Sequence, residues 1–278
     1  MSRFQIRRKL RAICSTGRLK TSVVSLGTAS AVLTLGVLSP LASFAATVVD
    51  TELVLSVDVS GSVDNNEFNL QRQGYVNAFK NPSIQNQIAN LPGGIAATLS
   101  YWSDNAVQSV PWTLITNTAQ ANAFADAIAA APRASNDNTG IANAINFAQN
   151  LLDTNDFIGN RRVIDVSGDG SENVSSLNAL RAARDNAVNA GIIINGLPIL
   201  NDDADLGTYY SNNVIGGAGS FVTAASNFSD VNGAVAQKIG REVAPVPEPL
   251  TILGSLAAGT IGVALRRKYQ QQKDNAKV

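Results

Sequence analysis

Asp58-Val59-Ser60-Gly61-Ser62 places three side-chain oxygens at alternate positions, with a glycine between the two hydroxyls. A strand end rolling into a loop can turn these oxygens toward one point, and Gly61 lets the backbone bend tightly there. The same residue types also serve as ordinary turn and cap residues, so the pentapeptide gains weight only in company. Two further places supply it. Thr139, in Asn138-Thr139-Gly140, stands at the start of a predicted helix. Asp169, in Ser167-Gly168-Asp169-Gly170, stands at the end of a predicted strand. The chemistry open to such a set is oxygen coordination of a hard cation, Mg²⁺ first, with Mn²⁺ or Ca²⁺ as alternatives.

Composition removes most other chemistries. Histidine is absent and Cys14 is the single cysteine of the 278 residues, so Ser-His or Cys-His nucleophiles and Cys/His zinc sites are excluded. Disulfides within the chain are excluded too. The 21 basic and 21 acidic side chains balance over the whole sequence but not along it. Residues 1–45 hold seven Lys or Arg and no acid, and residues 246–278 hold five basic and two acidic groups. The segment 46–245 is left with nine basic and nineteen acidic residues, a net charge of −10. Such a surface excludes nucleic acid as a partner.

The elements that must position the oxygens are readable from hydrophobic patterning. Leu53-Val54-Leu55-Ser56-Val57 is a nearly continuous apolar run, as in a central strand covered on both faces. Asp64 and Glu67 form a capping-box pattern, and Phe68, Tyr75, Val76 and Phe79 then recur at helical spacing. Gly94–Trp102 and Ala106–Leu114 read as an antiparallel pair joined by the Ser103-Asp104-Asn105 turn. Helices are predicted over Thr118–Ala131, Gly140–Leu152, Ser175–Ala190 and Asp230–Ile239; strands over Arg162–Val166, Ile192–Ile194 and Phe221–Thr223. Gly191 closes the third of these helices. Arg161-Arg162 reads as an exposed edge pair, and Asp202, Asp203 and Asp205 as a solvated turn. The order implies an α/β fold, three-layered and doubly wound. Its sheet is mostly parallel with one antiparallel edge strand and helices on both faces. In such sheets ligands collect beyond the carboxyl ends of the strands, where Asp58 and Asp169 fall.

The Asp-x-Ser-x-Ser pentapeptide, Thr139 and Asp169 in this strand-helix order resemble the metal-ion-dependent adhesion site of a von Willebrand factor A domain. The likeness spans nearly all of residues 50–242 and is narrower to an uncharacterised bacterial branch. That branch is carried by Glu52-Leu53-Val54-Leu55, by the run from Arg162 to Gly170, and by Ile194-Asn195-Gly196-Leu197. Ser167-Gly168 departs from the threonine most members have directly before the aspartate. The resemblance implies that Ser60 and Ser62 bind the ion through their hydroxyls and that Thr139 binds in the ligand-engaged state. Asp58 and Asp169 act largely through water or by hydrogen-bonding the hydroxyls. It implies a recognition site and no enzyme, with a carboxylate of a protein or an acidic exopolysaccharide completing the ion's shell.

Rival motifs fail. Asp165-x-Ser167-x-Asp169-Gly170 imitates an EF-hand start, but its twelfth position is Ser176 instead of glutamate. A dehalogenase-type phosphatase needs an aspartate where Ser60 stands, and no phosphate-cradling Gly-Lys-Ser/Thr is present.

The two ends read as targeting segments. A basic stretch over residues 1–20, an uncharged apolar run from Ser22 to Ala42, and Ser43-Phe44-Ala45 make a secretory signal peptide, 1–45, for signal peptidase. Export is by the general or the twin-arginine route, and a retained membrane helix is the alternative. The domain is assigned 46–245. Pro247-Glu248-Pro249, the sixteen-residue apolar stretch Leu250–Leu265, and Arg266-Arg267-Lys268 follow. They resemble the PEP-CTERM sorting signal, over 246–268 with a short transmembrane helix, ahead of a tail at 269–278. That resemblance implies an exosortase, passage across the inner membrane, and delivery to the cell surface or matrix; an ordinary C-terminal anchor is the alternative.

Overall fold

The computed structural model describes residues 46–245. The expected signal peptide and sorting signal both lie outside these residues. Among the described residues no helix is long and apolar enough to cross a membrane.

Five strands form one sheet: β1 (Thr47–Asp58), β2 (Ile95–Trp102), β3 (Ala106–Ile115), β4 (Phe157–Gly168) and β5 (Ile192–Pro198), in the order β3-β2-β1-β4-β5. All neighbouring pairs are parallel except β2 with β3, which is antiparallel and puts β3 at one edge. Among the described residues a 3-10 turn (Phe228–Asp230) and seven α-helices complete the order: α1 (Asn65–Lys80), α2 (Pro82–Ala89), α3 (Thr118–Ala130), α4 (Ile141–Asp153), α5 (Leu177–Asn189), α6 (Leu206–Asn213) and α7 (Val231–Glu242).

Alternation along β1 sorts its side chains between two apolar layers. Leu53, Leu55 and Val57 pack with Phe68, Tyr75 and Phe79 of α1, Phe124 of α3, and Val235 and Ile239 of α7. Val54 faces the other way and joins Ile145 and Ala148 of α4, Leu180 of α5 and Tyr210 of α6. The fold is therefore three-layered α/β with helices on both faces, as expected. The capping box is present: the Asp64 carboxylate accepts from the Asn66 and Glu67 amides, and the Glu67 carboxylate accepts from the Asp64 amide. Gly191 follows α5 with φ +80°, the left-handed conformation expected there.

Two readings are corrected. Phe221–Thr223 is no strand; the segment contributes one isolated bridge to β5, Gly196 with Val222, and a second bridge, just beyond both, pairs Ile199 with Ala225. It follows Gly217 and Gly219, both at positive φ, which turn the chain away from a continuous ladder. Arg161-Arg162 is no edge pair, because β4 lies between β1 and β5 and both arginines are partly buried. Helices α2 and α6, eight residues each, were not anticipated. The first begins at Pro82 behind an Asn81 cap, and the second carries Gly, Asn and Thr, poor helix formers held by burial of Leu206 and Tyr210.

Leu55 has no exposed surface, whereas Leu70 on α1 is 37% exposed. Leu55→Ala is expected to cost ~2–5 kcal/mol in urea unfolding, and Leu70→Ala less than ~0.5 kcal/mol. Equal losses would contradict the assignment of β1 to the core.

Candidate metal centre

Strands β1 and β4 run parallel and in register, Val57 beside Ser167, so both release their chains at the same rim. At that rim the structure brings Asp58, Ser60, Ser62, Thr139 and Asp169 together. Asp58 is the last residue of β1 and fully buried; its Oδ1 accepts the Ser60 amide at 2.7 Å. The Ser60 and Ser62 hydroxyls share a hydrogen bond at 3.3 Å, and the Ser62 hydroxyl donates to Asp169 Oδ1 at 2.7 Å. Thr139 Oγ1 lies 3.5 Å from Ser60 Oγ. Ser60, Thr139 and Asp169 are nearly buried, while Gly61 and Ser62 are open to solvent, so the cluster is reached from one side.

Whether these residues fit a hard cation can be judged from what they leave unsatisfied. Asp58 Oδ2 is buried without a hydrogen-bond partner, an expensive state for a carboxylate. Burial raises the Asp58 carboxyl to about 7, with the Asp169 charge adding to the rise and the Ser60 hydrogen bonds opposing it. Burial also raises Asp169, against the lowering effect of the Ser62 hydroxyl. Two glycines keep the space clear: a Cβ on Gly168 would lie 2.7 Å from Asp58 Oδ2, and one on Gly170 would lie 3.3 Å from Thr139 Oγ1. Among the described residues no group of three or more acidic side chains could hold a metal ion, so any site here depends on hydroxyls. Two carboxylates and three hydroxyls, one carboxylate oxygen orphaned, fit a hard divalent cation.

Several residues that hold the cluster in place escaped the sequence reading. Arg133 Nη2 donates to the carbonyls of Val59, Ser60 and Val63, at 2.9, 2.9 and 2.6 Å, and so straps the loop after β1. Asn173 and Thr139 clamp each other: the Thr139 amide donates to Asn173 Oδ1 at 2.8 Å and the Asn173 amide to the Thr139 carbonyl at 2.9 Å. Glu172 accepts the Ala142 amide at 2.7 Å, supplying the first turn of α4 with the side-chain cap that Gly140 lacks. The missing cap at Gly140 was the one signal for this residue in the sequence. Tyr210 of α6 brings a second orphaned group, its hydroxyl, to 2.8 Å from where a Cβ on Gly168 would stand. Asp202, Asp203 and Asp205 remain exposed in the turn before α6.

The family model described as a protein of unknown function, DUF1194, matches residues 48–247. The chain belongs to that family. No curated protein matches it. Among solved structures, the family member is similar to the pilus adhesin SpaC from Lactobacillus rhamnosus GG, with TM-score 0.54 and 17% identity over 69% of this chain and 30% of that one. It is similar to the von Willebrand factor domain of the pilus tip protein Mfa5 from Porphyromonas gingivalis, with TM-score 0.51 and 11% identity over 72% and 98%. It is also similar to proximal thread matrix protein 1 of the mussel byssus, described with a zinc-occupied adhesion-site motif, at TM-score 0.51 and 13% identity over 72% and 47%. The chain spans less than half the length of SpaC and of the byssus protein. At these identities the likeness establishes the von Willebrand factor A fold of this DUF1194 protein.

The raised Asp58 carboxyl sets a direction for pH. Its folded value of about 7 exceeds the ordinary 3.8, so the stability it contributes is present below 3.8 and lost as pH rises through about 7. A cation needs the ionised form and competes with that proton. Magnesium affinity, read by calorimetry, is expected to be about tenfold weaker at pH 6 than at pH 8. A flat profile would contradict a role for Asp58. Arg133→Ala, which frees three loop carbonyls, is expected to destabilise the domain by about 1–3 kcal/mol in urea unfolding.

Proposed function

We propose that this domain binds a macromolecular partner through a divalent cation held at the rim by Asp58, Ser60, Ser62, Thr139 and Asp169, in adhesion or extracellular matrix assembly. The observation that carries the reading is the convergence of three hydroxyls and two buried carboxylates at one rim, with Asp58 Oδ2 left without a partner. The hydroxyls of Ser60 and Ser62 hold the ion directly and Thr139 joins them when a ligand engages. Asp58 and Asp169 act through water and by fixing the hydroxyls. Neutral hydroxyls donate little charge, so a bound ion supplies an electrophilic point with an open position for a partner's carboxylate. Mg²⁺ suits that arrangement because it retains several waters; Mn²⁺ and Ca²⁺ are the alternatives. The partner is a protein or an acidic exopolysaccharide. The pilus adhesin described for SpaC and the zinc-occupied motif described for the byssus protein support the reading by analogy of fold.

Localisation belongs to the same proposal. The chain is exported, with residues 1–45 removed by signal peptidase, and reaches the cell surface under a PEP-CTERM signal processed by an exosortase. Transient anchoring is by the apolar stretch Leu250–Leu265. The net charge of −10 over 46–245 disfavours docking on bare anionic polymer and makes a bridging cation necessary there. The domain is not an enzyme on this reading. The competing reading is a metal-independent structural module of the surface, which the absence of bound-ion dependence would favour.

The test is melting temperature after EDTA treatment, with and without Mg²⁺. At one hundred times Kd the ion is expected to add about 2.7 kcal/mol, or roughly 5–10 °C for a domain of this size. Asp58→Ala and Ser60→Ala are expected to abolish the rise. A wild-type protein indifferent to magnesium, with equal partner binding in EDTA, would favour the structural module.

A further inference from the structure

The second buried polar cluster lies away from the rim, under α7, and the metal-site reading makes no use of it. Lys238 has no exposed surface. Its Nζ lies 2.6 Å from Asp165 Oδ1 of β4 and 2.7 Å from Glu242 Oε1, one turn along its own helix. All three side chains are wholly enclosed. Around them, Asn195 Nδ2 donates to Glu242 Oε1 at 2.9 Å, and the Tyr75 hydroxyl lies 3.3 Å from Asp165 Oδ1 and 3.1 Å from Ser167 Oγ. Asp165 Oδ2 and Glu242 Oε2 are both buried without a partner.

As an ion cluster this is a poor arrangement. Two carboxylates share one ammonium and each keeps an orphaned oxygen, an arrangement in which desolvation can exceed what pairing returns. As a set of reactants it is well placed. An amine touches a carboxylate oxygen one bond from the carbon it would attack, a second acid touches the same amine, and a phenol points at the same carboxylate. Positioning of this kind raises effective concentrations to ~10⁵–10⁸ M. We propose that Lys238 and Asp165 condense to an intramolecular amide, with Glu242 relaying the protons.

The step balances without a co-reactant. The ammonium of Lys238 gives one proton to the Glu242 carboxylate, which passes it to an oxygen of Asp165. The nitrogen lone pair then adds to Cγ, and the resulting oxyanion is held by the Tyr75 hydroxyl. A second proton leaves the nitrogen through Glu242 for the departing oxygen, the C–O bond breaks, and one water is released. The product removes one of the two carboxylates and the ammonium: the amide oxygen accepts from Tyr75 and the amide N–H donates to Glu242 Oε1. Glu242 lines a cavity of about 880 Å³ at the amino-terminal ends of the strands, beside Arg161 and Arg241, which gives the water an exit. Burial and the Asp165 charge also raise the Glu242 carboxyl to about 7, a value suited to passing a proton in both directions. The bond staples α7, the last described helix, to the central sheet across 73 residues of chain, Asp165 to Lys238.

Tryptic peptide mapping of the full, folded chain after denaturation reads the bond directly. The expected result is the peptide 163–181 joined to 185–241, lighter by one water than the two together and uncut after Lys238. Free 163–181, together with a peptide ending at Lys238, would overturn the proposal. Loss of ammonia within 185–241 would also overturn it, by assigning the bond to Asn195. Glu242→Gln, folded by circular dichroism, is expected to leave the peptides unjoined; joining at the wild-type rate would remove Glu242 from the reaction.

Discussion

A carboxylate with no exposed surface ends the central strand, and much of the domain is arranged around the electrostatic cost of keeping it there. Asp58 has one oxygen satisfied by the Ser60 amide and one left bare, and burial raises its carboxyl to about 7. Among the described residues no cation neutralises it: Asp169, its charged neighbour, repels it, and Arg133 directs Nη2 to the loop carbonyls. A divalent cation offsets such a group without protonating it. The parallel register of β1 and β4, the bare Cα of Gly168 and the clamp between Thr139 and Asn173 all keep that position open and fixed.

The sheet meets the same difficulty twice and resolves it differently. Asp58 and Asp165 are both fully buried carboxylates on neighbouring strands. Asp58 ends its strand at the rim, where Gly61 and Ser62 are exposed, so its compensation can come from outside. Asp165 is sealed beneath α1 and α7, so its compensation must come from within, from Lys238 and Tyr75. The intervening apolar layers, Leu53 and Leu55 on one face and Val54 and Ile164 on the other, make both positions rigid.

Sequence made the rim legible because its chemistry is local. Asp58, Ser60 and Ser62 lie within five residues, and strand patterning places Asp169 on the same side of the sheet. Most of the layer order follows from Leu53–Val57 and from the stripe Phe68, Tyr75, Val76 and Phe79. What stayed hidden depends on pairs distant in sequence. Arg133 reaches a loop some seventy residues away, and an arginine among small polar residues gives no sign of its acceptors. Lys238 reads as the polar face of a helix until α7 is laid against β4, where it becomes the most buried cation of the described residues. Arg161-Arg162 misled for the same reason: charge suggested an edge, while the crossovers put β4 in the interior.

The central claim is that this rim holds one hard cation by hydroxyl and carboxylate oxygens. Manganese titration of the EDTA-stripped protein, followed by electron paramagnetic resonance, tests it most directly. The expected result is one Mn²⁺ per chain, displaced by excess Mg²⁺ and lost in Ser60→Ala. Free-ion signal from the first addition, or binding unchanged by Ser60→Ala, would contradict it.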